Sequence, residues 1–337
     1  MNIYRGEDFG VAESICRALR DFSSHETMKF MRYLIVLFIA ALLLKPPSLF
    51  AGESLALQKV VPDVYAIIGG LDNRTAENLG NNATFGFVVT SSGVILIDSG
   101  ASWKGAEHID SLVRSVTGKP VTHVINTGGQ DHRWLGNGYF KSHGAKIIAH
   151  EEAVKDQKFR ASDQLSMLQN LVGAEGMRGT EPVFADEVFS NELRLTIGGK
   201  TLLLQHHGWA HTPGDSFVWL PSEKIVFSGD IVYMERLPGV QEHSRSKSWL
   251  EVFDALAALH PRIVIPGHGH PASLEKASYD TRRYLSFIRK AVSDYRASGG
   301  DATGIRSIDQ TMFRYLGNYD ALSGRNALQV YNEMEWE

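Results

Sequence analysis

Short runs of β-branched and aliphatic residues, each stopping at a glycine or a polar cluster, recur along most of the chain. "VYAII" (Val64–Ile68), "TFGFVVT" (Thr84–Thr90), "GVILID" (Gly93–Asp98), "VTHVINT" (Val121–Thr127) and "KIIAH" (Lys146–His150) are expected to be strands. "SWKGAEHIDSLVRSV" (Ser102–Val116) spaces its apolar residues at the helical period and predicts an amphipathic helix. The second half resumes the pattern. "LRLTIGGKTLLLQHHG" folds back at Gly198-Gly199 as a hairpin, and "SFVWL" and "KIVFSGDIV" follow as strands. A helix is expected near "SWLEVFDALAAL", then a last strand in "RIVIPGHG". Each half therefore reads as strands, a helix, and a strand ending at polar residues.

A helical insertion near residues 151–185, with its helix in "SDQLSMLQNLV", interrupts the alternation, and from residue 272 the chain is mostly helical. The closing "RNALQVYNEMEWE" predicts an amphipathic helix packed on a sheet face. No low-complexity linker separates the halves, so residues 52–337 are expected to form one domain.

The N-terminus follows another pattern. From Met28, a basic start (Lys29, Arg32) leads into an apolar run, Tyr33–Leu44, and small residues near Ser48–Ala51, which predicts a signal peptide over 28–51 and a periplasmic or secreted protein. The alternative is an uncleaved segment that anchors the chain to a membrane. Translation is expected to start at Met28, which makes 1–27 a leader outside the protein proper.

Composition narrows the chemistry. The chain has 337 residues, 43% of them hydrophobic, enough for a well-buried core. Its formal charge of -4 comes from interspersed acids and bases without the basic clusters that follow a phosphate backbone, so nucleic acid is not an expected partner. The one cysteine, Cys16, lies in the leader. A metal in the mature domain must then be held by His, Asp or Glu.

Ligand-capable residues follow β-like runs at four places: Asp131-His132, His211 in "AHTPGDS", Asp230 in "FSGD", and His268 in "PGHG". Single His or Asp residues beside glycine are commonly turn or cap residues. Four at strand ends point instead to a divalent metal bound by imidazole and carboxylate, a donor set that suits zinc and also manganese or iron.

These elements in this order, after a stretch of the D-H-x-x-G-N type (Asp131 to Asn137) and an early strand ending at Asp98, resemble the metallo-β-lactamase superfamily. The resemblance runs from about Val61 to the C-terminus. It implies an α/β chain of the α+β kind, folded as a four-layer αββα sandwich with its site along one edge of two packed sheets.

The family signature is H-x-H-x-D-H, often after Asn-Thr. Here Asn126-Thr127 and Asp131-His132 are separated only by Gly128, Gly129 and Gln130, one residue fewer than the pattern, and both leading histidines are absent. The resemblance implies that the first metal position, which would keep only His211, is dismantled. It also implies that Asp131, His132, Asp230 and His268 hold one divalent metal, zinc first and iron or manganese as alternatives. Asp131 and His211 are the expected catalytic residues, and Asp98, Gln130 and Asn137 are expected to orient ligands or face the substrate. The expected activity is a metal-dependent hydrolase of a small ester, thioester, lactone, amide or sulfate-type molecule. The alternative is a non-catalytic metal- or ligand-binding accessory protein on the same fold.

Overall fold

Aliphatic residues on both faces of most of these strands require two covering layers, and the computed structural model, which describes residues 55–337, supplies them. The leader, the signal segment and Cys16 lie outside the described residues. Seven strands form the first sheet in sequence order: β1 (Ala56–Val61), β2 (Val64–Ile68), β3 (Thr84–Thr90), β4 (Gly93–Ile97), β5 (Val121–Asn126), β6 (Lys146–His150) and β7 (Glu187–Phe189). The first four run antiparallel to their neighbours, and β4 through β7 are parallel. The second sheet has the order β12-β11-β10-β9-β8, from β8 (Glu192–Ile197), β9 (Lys200–Gln205), β10 (Phe217–Leu220), β11 (Ile225–Phe227) and β12 (Ile263–Ile265).

Facing side chains from the two sheets, among them Val88, Ile95, Ile125, Leu204, Val218 and Phe227, make the central core. Helix α1 (Trp103–Val116) covers the outer face of the first sheet through Ala106, Ile109 and Val113, and Ser102 caps its N-terminus. Two short helices follow β5, α2 (Asp131–Trp134) and α3 (Asn137–Ser142). Beyond β6 come α4 (Glu151–Leu171) and the single turn α5 (Gly173–Gly176). The outer face of the second sheet is covered by α6 (Ser246–Ala257), α8 (Arg283–Ala297) and α9 (Tyr319–Met334), with the short α7 (Leu274–Ala277) before α8. The order of layers is helix, sheet, sheet, helix.

The inserted helix is longer than expected. It starts at Glu151, where His150 accepts the Glu152 amide as an N-cap, and its buried face carries the polar Asp156, Gln157 and Gln164 beside Ala153, Ala161 and Leu168. A helix with so polar a buried face has little apolar period to read. The edge strands β1 and β7 also escaped the pattern, since charged or polar residues interrupt both runs. Among the described residues no helix is long and apolar enough to cross a membrane.

Candidate metal centre

Several chain segments end at the same sheet edge and carry the polar residues with them. Asp98 follows β4, α2 follows β5, Asp230 sits in a one-turn helix (Gly229–Ile231) after β11, and His268 follows β12. His132, Asp230 and His268 are all buried, and one donor atom from each lies within 4.8 Å of the others. Asp230 stands in the middle. His132 Nε2 is 3.2 Å from its Oδ2, and His268 Nε2 is 3.2 Å from its Oδ1.

Asp131 is not in this group. It is fully buried, but consecutive residues on a helical turn project about 100° apart, and its carboxylate turns away to the Arg74 guanidinium, 2.5 Å distant. Burial alone would raise its pKa, but Arg74 and the contacts with His132 outweigh this and hold it well below the usual range. His211 lies outside the close trio too, although it shares a cavity with His132 and His268. Its Nδ1 donates to the Gly239 carbonyl at 2.9 Å, which leaves Nε2 as the acceptor, and burial lowers its pKa to about 4.

The largest surprise is Arg133, fully buried under the site. Its guanidinium donates to both oxygens of Asp230 (2.7 and 3.2 Å), to Asp98 Oδ2 (2.9 Å), and to the carbonyls of Thr84 and Gly267 (3.0 and 2.8 Å). Asp98 also accepts the Thr127 amide at 2.7 Å and so braces the loop that leads into α2. Asn137 exchanges amide hydrogen bonds with Asn126 and braces the same loop from behind. Gln130 faces the cavity, with its amide 3.2 Å from Asp131 Oδ1.

Arg133 was legible only from the other end of the motif. Three residues, Arg133, Trp134 and Leu135, separate Asp131-His132 from Gly136, where D-H-x-x-G-N has two. Counted back from Gly136-Asn137, the segment from Asn126 to Asn137 has the full length of N-T-H-x-H-x-D-H-x-x-G-N, and no residue is missing. Gly128, Gln130, His132 and Arg133 then stand at the positions of His, His, Asp and His. The contacts agree with this register, because His132 and Arg133, rather than Asp131, meet Asp230.

The first metal position is rebuilt as well as stripped. A side chain at Gly128 would collide with the Asp215 carboxylate, and one at Gly129 with that of Asp156. Gln157 and Gln164 of α4 donate to the carbonyls of Gly128 and Gly129 at 3.1 and 2.8 Å. Neither His206 nor His207, close before His211 in sequence, fills the gap: His206 stacks on His150 and bonds the Asp215 carbonyl, and His207 stacks on Phe217.

The donors present fit a single divalent metal, and His268 shows why. Its Nδ1 is 2.8 Å from the Asn82 carbonyl, which can only accept, so Nδ1 carries the proton and Nε2 a lone pair. Burial and Arg236 push its pKa well below the usual value, so the ring is neutral. Two acceptors, His268 Nε2 and Asp230 Oδ1, thus face one another at 3.2 Å with no proton to share, an arrangement that a cation between them relieves.

Above the trio lies a cavity of about 50 Å³, lined by Arg74, Gln130, His132, His211, Tyr233 and Arg236 among others. Arg236 is 9% exposed, and among the described residues no carboxylate pairs with it; it donates to the Asp72 carbonyl at 3.3 Å, and the same nitrogen lies 3.3 Å from His268 Nδ1, whose proton goes to the shorter contact with Asn82. Tyr233 stacks on His268 with ring centroids 4.6 Å apart.

Two packed sheets between helical layers, with a His/Asp/His site at the strand ends, define a metallo-hydrolase type of architecture. The family model described as the metallo-beta-lactamase superfamily matches residues 80–268, and the chain belongs to that superfamily, which implies a divalent metal, usually zinc. A linear primary-alkylsulfatase from Pseudomonas sp. (strain ATCC 19151) is 22% identical over 241 residues, 58% of this chain and 44% of that one. This chain therefore spans less than half of that relative. A type 2 metallo-beta-lactamase from Elizabethkingia meningoseptica is 26% identical over 211 residues, 61% of this chain and 73% of that one. Among solved structures, a metallo-beta-lactamase from Pontibacter korlensis superposes with a TM-score of 0.55 at 20% identity, covering 69% of this chain and 99% of that one. The sec-alkylsulfatase Pisa1 from Pseudomonas sp. gives 0.62 at 19% identity, covering 82% and 50%. At these identities the superpositions speak for the fold.

Proposed function

We propose that the chain is a hydrolase with one divalent metal, zinc first, held by His132, Asp230 and His268, and that its substrate is a small ester carrying negative charge beside the bond to be cleaved. The facing acceptors at His268 and Asp230 carry the first half of this reading. The second half rests on Arg236, a buried guanidinium with no carboxylate partner among the described residues, whose desolvation an oxyanion in the cavity would offset. An alkyl sulfate is such an ester, and it is what the names of two relatives describe.

When bound, the metal supplies Lewis-acid activation of water and of the substrate oxygen. The chain's residues do the rest. His211 presents a neutral Nε2 to the cavity and orients the attacking water by accepting a hydrogen bond from it. Arg236 anchors the anionic group, and the Tyr233 hydroxyl and Gln130 amide line the same space as donors. Asp131 has no part as a base, because its pairing with Arg74 leaves it little affinity for a proton at neutral pH. Arg133 keeps Asp230 ionised and oriented while the other side of the carboxylate faces the imidazoles.

The test is turnover of a medium-chain alkyl sulfate, an uncharged nitrophenyl ester and a penicillin by the zinc-loaded full chain, with His268→Ala and Arg236→Ala as controls. The reading expects the alkyl sulfate to be cleaved, no activity in His268→Ala, and a raised KM in Arg236→Ala. Hydrolysis of the uncharged ester alone would refute the assigned substrate class. A second reading, metal or ligand capture without turnover, is favoured by the small cavity and the filled first position. Stoichiometric zinc with no turnover on the whole panel would select it.

A further inference from the structure

Arg74 projects from the loop between β2 and β3 across the metal centre, with its side chain 12% exposed. One of its terminal nitrogens is 2.5 Å from Asp131 Oδ1 and 3.0 Å from His132 Nδ1. A guanidinium only donates, so His132 Nδ1 is the acceptor in this contact, and a neutral ring then carries its proton on Nε2. That proton points along the 3.2 Å contact to Asp230 Oδ2, on the face where His132 would meet a metal. His268 is in the opposite state, fixed with Nε2 free by the carbonyl of Asn82 on the same loop.

Asp131 Oδ1 offers His132 a second choice. It lies 3.2 Å from the same Nδ1 and, as an acceptor, stabilises the tautomer with the proton on Nδ1 and the lone pair on Nε2. The two neighbours of Nδ1 thus favour opposite tautomers, and moving the proton between the ring nitrogens changes neither the charge nor the proton count.

Building on the one-metal reading, we propose that Arg74 is a latch on the metal centre: while its guanidinium touches His132 Nδ1 it holds the ring in the tautomer that cannot ligate, and metal binding requires it to withdraw so that Nδ1 carries the proton and donates it in a hydrogen bond to Asp131. Asp131 is then a positioning residue for His132. The loop that carries Arg74 and Asn82 sets both histidines, one ready and one locked.

The test uses the full chain with ¹⁵N-labelled histidine, stripped of metal by a chelator. Two-bond ¹H–¹⁵N correlations read which nitrogen of His132 is protonated, and competition with a chromogenic chelator reads zinc affinity. The latch predicts Nε2-protonated His132 in the wild type, Nδ1-protonated His132 in Arg74→Gln, and zinc bound more tightly by the variant, on the order of tenfold. A wild-type ring protonated on Nδ1 would overturn it without any variant. Tighter zinc binding with no change of tautomer would also overturn it, since removal of a positive charge alone does that. Equal zinc affinity in the two proteins sinks the latch and leaves the one-metal reading standing, whereas zinc uptake by neither sinks both.

Discussion

Replacing Arg133 with Met removes a buried cation that serves two carboxylates and two carbonyls. Methionine fills much of the volume but leaves the buried Asp98 and Asp230 without the cation they share, Asp98 keeping only Thr127 and Asp230 only the imidazoles. Breaking one such pair typically costs about 3–5 kcal/mol. Protonation of Asp98, whose pKa burial already raises, relieves part of the second loss, so we expect about 4 kcal/mol in all. At roughly 2–4 °C per kcal/mol for a domain of this size, the melting temperature should fall by about 10 °C. Lysine at the same position keeps the charge but has fewer donors in a different geometry, and should fall between. The assay is thermal and urea unfolding, each with chelator and with zinc. Zinc should stabilise Arg133→Met more than the wild type, because only in the variant does Asp230 lack a cation. Loss of under about 1 kcal/mol in chelator would refute the burial argument, since surface changes cost that little.

Three further outcomes follow from the same contacts. Burial and Asp230 raise the Asp215 pKa to about 8, so the folded state binds a proton that the unfolded chain releases near pH 4. Its contribution to stability is full below about pH 4 and is lost as the pH rises to about 8; Asp215→Asn should flatten that part of the urea-midpoint profile, and an unchanged profile would contradict the raised value. Gly128→His should collide with Asp215, destabilise the fold by about 2 kcal/mol or more, and add no second metal by elemental analysis. Gln164→Leu strands the Trp134 indole donor and the Gly129 carbonyl and should cost about 2 kcal/mol in urea unfolding, with metal content unchanged.

The strands were legible because two-sided burial writes continuous apolar runs, and β2 through β6 begin and end close to where "VYAII" through "KIIAH" do. His132, Asp230 and His268 were legible for a different reason: each interrupts such a run at its end, and the superfamily motif links them. What could not be read depends on contacts far away in sequence. Nothing near Arg133 signals that Asp98 and Asp230, 35 and 97 residues away, share its guanidinium. Arg74 reaches Asp131 from a loop 57 residues earlier, and that contact draws the Asp131 carboxylate away from the trio. Anchored on Asp131-His132, the first metal position reads as deleted sequence; the glycines there are required by Asp215 and Asp156, which only the packed structure brings alongside.

The central claim is that one metal position survives, on His132, Asp230 and His268. Metal content per chain, measured by elemental analysis after zinc loading and desalting, tests it most directly. The account predicts about one zinc per chain in the wild type and none in His268→Ala; two per chain, or one retained by His268→Ala, would contradict it.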